Sequence, residues 1–134
     1  MSYGTSITVE PARKVAAAAA AAARQHQFTM AIAVVDTAGD LVYFERMDDT
    51  QVGSVDIAIG KARSAARFKR PTKAFQDQLA AGDAGLRMLA LEGAVPVAGG
   101  LPLVLGGKVV GAIGCSGGTS DDDNFCAQAG AAAL

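Results

Sequence analysis

Histidine is nearly missing from this chain, and that scarcity bears first on catalysis: the only one is His26. The segment Gly114-Cys115-Ser116-Gly117-Gly118 satisfies the G-x-S-x-G pattern of a nucleophile elbow, with the apolar run VVGAIG before it and a helix-like segment after it. A serine hydroxyl is a poor nucleophile until a neighbouring base takes its proton, usually a histidine held by a carboxylate. His26 lies upstream of Ser116, whereas the hydrolase order puts the histidine after the serine, and a hydrolase sheet needs roughly twice this length. The sequence therefore argues against a Ser116 triad.

Cysteine is sparse too. Cys115 and Cys126 make no disulfide framework, their spacing matches no zinc pattern, and both are expected to be small buried hydrophobes. No run of about 18 strongly apolar residues exists to span a bilayer. The Ala16 to Ala23 block is short, sits behind a polar start and lacks the bulky side chains of a signal-peptide core, so a cytoplasmic protein without a membrane partner is expected. Excess charge is absent as well: 12 basic against 13 acidic side chains leave −1, which gives no attraction to nucleic acid. There is no P-loop, dinucleotide fingerprint, internal repeat or linker, and the 134 residues read as one domain, 1–134.

What is present is alanine and glycine in patterned blocks. Thr8 as N-cap, Pro11 in the first turn and the alanine run predict a helix to about Gln27, smooth enough to pack closely on a sheet or a second subunit. FTMAIAVVD and LVYFERM about TAGD predict a hairpin. Helical spacing from Ser54 stops near Lys69 before Pro71, Thr72 caps a short helix, and another covers Ala84 to Leu91. AVPVA, LPLVL and VVGAIGC read as three strands on glycine turns, and Thr119 with Asp122 as the capping box of a terminal helix. The order α-β-β-α-α-β-β-β-α predicts an α+β domain: one sheet of about five mostly antiparallel strands flanked by helices.

Three constellations could carry chemistry. Arg63, Arg67 and Arg70 fall on one helical stripe, either a solvated face or an edge that pairs with carboxylates. Gly99-Gly100 and Gly117-Gly118, with Ser116 and Thr119 beside the second pair, could let backbone approach a ligand, whereas Gly106-Gly107 reads as a hairpin turn. Asp121 to Asp123 read as a solvated helix start. Asp36, Glu45, Arg46 and Lys61 are the polar groups available for proton transfer, with Glu45 and Arg46 on opposite faces of their strand.

The blocks AVVDTAGDLVYFERMDD, IAIGKARSAARFKRPT and GGLPLVLGGKVVGAIGCSGGTSDDD, in this order and spacing, resemble the GlcG/HbpS-like family (haem-degrading, DUF336), which includes the C-terminal domain of PduO-type proteins. The resemblance covers roughly Thr8 to Leu134. It implies an antiparallel sheet flanked by helices, homo-oligomers from dimer to octamer, and haem or a related tetrapyrrole as ligand. Thr72 stands where the family's haem-ligating threonine appears in a Pro-Thr pair, while His26 matches no family ligand and Cys115 replaces a valine. The leading expectation is a small-molecule-binding oligomer whose pocket, between subunits, is lined by Arg63, Arg67, Arg70, Thr72, Gly99, Gly100, Ser116, Gly117, Gly118 and Thr119. The alternative is an enzyme for a small carboxylated catabolic metabolite, such as an aromatic ring-fission product, using Lys61, Arg46, Glu45 and Asp36. A purely structural assembly protein is the third reading.

Overall fold

The computed structural model describes residues Met1–Leu134, in the order α1 (Val9–Gln25), β1 (Ala31–Val35), β2 (Leu41–Arg46), α2 (Ser54–Phe68), α3 (Thr72–Ala80), a 3-10 segment (Asp83–Ala90), β3 (Gly100–Leu105), β4 (Lys108–Ser116) and α4 (Ser120–Ala132). One sheet runs β2-β1-β4-β3 with every neighbouring pair antiparallel. The α+β class and the element order hold.

The strand count is corrected from about five to four. Ala94 to Ala98, read as a strand, stays outside the sheet because side chains take its backbone: Val95 N–H donates to Ser64 Oγ at 2.9 Å and Ala98 N–H to Gln76 Oε1 at 2.8 Å. Pro96 between them has no N–H to give a ladder. One cap is corrected and one is held without its side-chain bond. Thr8 is the N-cap of α1 as expected, though its side chain makes no cap bond, and Pro71, not Thr72, is the N-cap of α3. The Thr119–Asp122 capping box is formed as expected.

Alternate residues of β1 feed two cores. Ile32 and Val34 join Ile113, Cys115 and Leu103 beneath α1 and α4, whereas Ala31, Ala33 and Val35 join Ala112 beneath Ala58, Ala62, Ala65 and Ala66 of α2. The sheet is thus sandwiched between helical layers, and small residues bring them close. A Cβ on Gly114 would run into Ala58 O and lie 2.6 Å from Ala62 N, so α2 rests directly on the strand backbone. The alanine face of α1 is used inside the chain, where Gly130 of α4 sits beside Val15 O and Ala19.

Candidate functional site

At one end of β3 and β4 a polar knot passes from one helical layer to the other. Lys61 of α2 is 1% exposed, and its Nζ donates to Cys115 O at 3.0 Å and to Asp123 Oδ2 of α4 at 2.7 Å. Asp123 Oδ1 accepts the Gly118 N–H at 2.9 Å, which ties the Gly117-Gly118 turn to the same carboxylate. Gly99, at φ +127°, leaves the passage open: a Cβ there would lie 2.6 Å from Cys115 O and 2.9 Å from both Lys61 Nζ and Asp123 Cβ. Gly100 is equally close to the Lys61 carbonyl, and its N–H donates to Thr72 Oγ1 at 2.9 Å. Thr72 is fully buried.

Burial pushes the Asp123 carboxyl above the usual carboxylate range, against the opposing pull of the Lys61 ammonium and the Gly118 N–H. Burial, with the neighbouring Cys126 and Asp123, raises the Cys115 thiol well above its ordinary value. Burial and the carboxylates of Asp123 and Asp122 raise Cys126 to about 11. Both thiols are therefore protonated near neutral pH and serve as apolar packing groups.

The arginine stripe is divided. Arg63 Nε donates to Gly39 O at 3.0 Å and Arg67 Nε to Ala38 O at 2.9 Å, so both clamp the β1–β2 turn. Arg70 folds the other way, with Nε 3.3 Å from Phe68 O and its guanidinium 5.3 Å above the Phe75 ring. Asp36 belongs to that same turn, where its Oδ1 accepts the N–H groups of Ala38 and Asp40 at 2.9 and 3.0 Å. The turn follows Val35, whereas Ala31 at the opposite end of β1 pairs with Arg46, so Asp36 and Arg46 are separated by the length of the strand. Glu45 accepts a long 3.4 Å bond from Tyr43 Oη on the α1 side of the sheet. Of the four proton-transfer candidates, only Glu45 and Arg46 lie near one another, at the end of β2. Of the expected ligand-binding residues, Thr72, Gly99, Gly100, Gly117 and Gly118 share the knot, with Ser116 and Thr119 along the same turn.

A second constellation is one that sequence reading passed over. His26 ends α1 and is exposed, with its ring 5.6 Å from Phe28 in a stacked arrangement and 4.7 Å from the half-exposed Phe125 edge-on. A groove of about 360 Å³ lies nearby between the end of α1 and the end of β2, lined by Arg24, Glu45, Arg46, Met47 and Asp48. None of its four charged side chains is in an ion pair. The only signal in the sequence was a histidine two residues from a phenylalanine. Phe125 comes from the far end of the chain and is brought there by α4.

Comparison with known proteins sets this geometry in context. The family described as haem degrading protein HbpS-like matches residues 7–132. The 15.0 kDa protein of the dhaT-dhaS intergenic region of Citrobacter freundii is 37% identical over 125 residues, which span 92% of this chain and 88% of that protein. A double mutant of Streptomyces reticuli HbpS superposes with a TM-score of 0.89 at 33% identity, covering 100% of this chain and 90% of its own. The PduOC:heme complex superposes with a TM-score of 0.86 at 27% identity, covering 97% and 96%.

Proposed function

Because the chain belongs to the HbpS-like family, we propose that it is a haem-binding protein and that haem is held at the corner formed by His26, Phe28 and Phe125. The observation that carries this reading is the exposed imidazole with a phenyl ring on either side, a strong nitrogen donor next to apolar surface suited to a porphyrin face. Arg24, two residues before His26 and outside any ion pair, supplies a guanidinium for a propionate. Thr72 does not fit as the iron ligand in this geometry, because its hydroxyl is fully buried and already accepts the Gly100 N–H. Bound haem supplies an iron centre whose potential and ligand exchange are set by axial donors and by the polarity around them. The protein's part is to present the imidazole, cover the ring edges with Phe28 and Phe125, and neutralise carboxylate charge with Arg24.

A titration of the protein with haem, followed in the Soret region, tests the assignment. His26→Ala should abolish the histidine-ligated spectrum while Thr72→Val leaves it in place. A His26→Ala protein that keeps the parent's spectrum and affinity would sink the reading. The enzymatic alternative has no comparable support, since Lys61 and Asp36 lie away from the groove that Glu45 and Arg46 line.

A further inference from the structure

Of the rings that make the corner, His26 and Phe28 are placed by the element they follow. Both come directly after α1, and their backbone N–H groups donate to Ala23 O at 3.2 and 2.8 Å. Phe125 arrives from elsewhere, on the first turns of α4, and it is 43% exposed. Its edge-on contact with His26, 4.7 Å between ring centroids, therefore depends on how the start of α4 is turned.

Packing against α1 gives that start little definition. The closest approach of the two helices is at Gly130, near the far end of α4, where a Cβ would lie 3.0 Å from Val15 O and 3.3 Å from Ala19 Cβ. Nearer Phe125 the buried residues are Ala20, Ala23, Cys126 and Ala127. Side chains this small interdigitate little, so they resist sliding and rotation weakly.

Directional bonds hold the turn instead. Asp123, two residues before Phe125, accepts from Lys61 Nζ on Oδ2 at 2.7 Å and from the Gly118 N–H on Oδ1 at 2.9 Å. Lys61 Nζ also donates to Cys115 O at 3.0 Å, which fixes the ammonium to β4. With both carboxylate oxygens engaged, the rotation of this turn about the axis of α4 is set. Side chains two apart on a helix lie about 200° apart, so drawing Asp123 into the interior turns Phe125 outward. We propose that Lys61 and Asp123 are positioning residues for haem: their buried bond sets the place of the Phe125 ring beside His26 and so the affinity of the corner. This rests on haem binding at His26, and it makes α2, in the opposite helical layer, part of the site. By linkage, haem bound at the corner tightens the bond in return.

Ring-proton NMR of the haem-free protein tests the positioning by itself. An aromatic ring this close displaces the imidazole resonances of His26, and Phe125→Ala supplies their undisplaced values. Asp123→Asn keeps an oxygen for the Gly118 N–H but removes the counter-charge of Lys61, and it should move the His26 resonances toward those of Phe125→Ala. Lys61→Met combined with Asp123→Leu separates position from stability, because apolar replacement of a buried ion pair is often neutral or stabilising. That double variant should melt near the parent, yet lack the displacement and bind haem about 2- to 10-fold more weakly, the range for a lost aromatic contact. A merely structural bond would return both the resonances and the affinity to the parent's values once stability is restored. In the parent, haem should slow hydrogen exchange at the Gly118 amide, a measurement that needs no variant. His26 resonances at the parent's positions in both variants, or Gly118 exchange that haem leaves unchanged while His26→Ala abolishes its binding, would overturn the proposal. Haem binding that survives His26→Ala overturns the haem assignment instead, and the haem-free imidazole measurement tells the two failures apart.

Discussion

Lys61 illustrates how a residue's type and its environment can diverge. Lysine is almost never fully buried unless paired, and here it is paired with a carboxylate from the opposite helical layer. Lys61→Met alone would leave Asp123 buried without a counter-charge and should destabilise the chain by about 3 to 5 kcal/mol, whereas adding Asp123→Leu should recover most of that loss. Urea unfolding of the two variants measures the difference. The same pair gives the fold an acid-range dependence. Burial raises the Asp123 carboxyl from its usual 3.8, so its proton is held more tightly in the folded chain than in the unfolded one. The contribution is therefore full below that usual value and is lost as pH rises through the folded value, and Asp123→Asn should show a flatter profile there. None of this was legible residue by residue. Lys61 sits in a charged run, KARSAARFKR, and only the phase of α2 decides that it turns inward. Asp121, Asp122 and Asp123 read alike in sequence, yet one caps, one stays exposed and one is buried.

At the scale of elements, helices and hairpins were legible because period and turn chemistry are local. The alanine periodicity of α2, the proline after it and the Thr119 capping box all correspond to observed boundaries within a residue or two. AVPVA misled because its β-branched composition is local, whereas its backbone partners, Ser64 and Gln76, come from elsewhere in the chain. The glycine pairs were read as a turn or as points of approach to a ligand, and Gly114 shows a third use: it sits in mid-strand so that α2 can rest on the sheet. Gly114→Ala should push α2 away and destabilise the domain by about 1 to 3 kcal/mol, in the range of an overpacked core. A thermal melt of that variant checks this, with Gly106→Ala a poor control because Gly106 has φ +58°.

At the scale of the whole molecule, the order of elements gave the class, and the position of the proposed haem corner depended on tertiary placement. Histidine was weighed against the family's pattern and set aside, because nothing in QHQF announces the Phe125 ring that α4 brings beside it. No helix is long and apolar enough to cross a membrane. Val52, Leu86, Leu89 and Leu105 are exposed by 77, 55, 69 and 58%, more large apolar surface than so small a chain needs to leave in water. Self-association through these residues is our expectation. Light scattering at micromolar concentration should report a mass above 13.5 kDa, and a monomer would remove the expectation.

The clasp between Lys61 and Asp123 spans 62 residues of sequence and joins helices that lie on opposite faces of the sheet. Closing so long a loop is entropically unfavourable, and the two side chains meet only after α2 and α4 have both docked. The contact is therefore expected to form late on the folding path, and Lys61→Met should then speed unfolding while leaving refolding nearly unchanged in stopped-flow measurements. Interactions absent at the barrier leave the speed of folding nearly unchanged and lengthen the lifetime of the folded state. What the ion pair is expected to give this small, alanine-rich domain is persistence of the closed state.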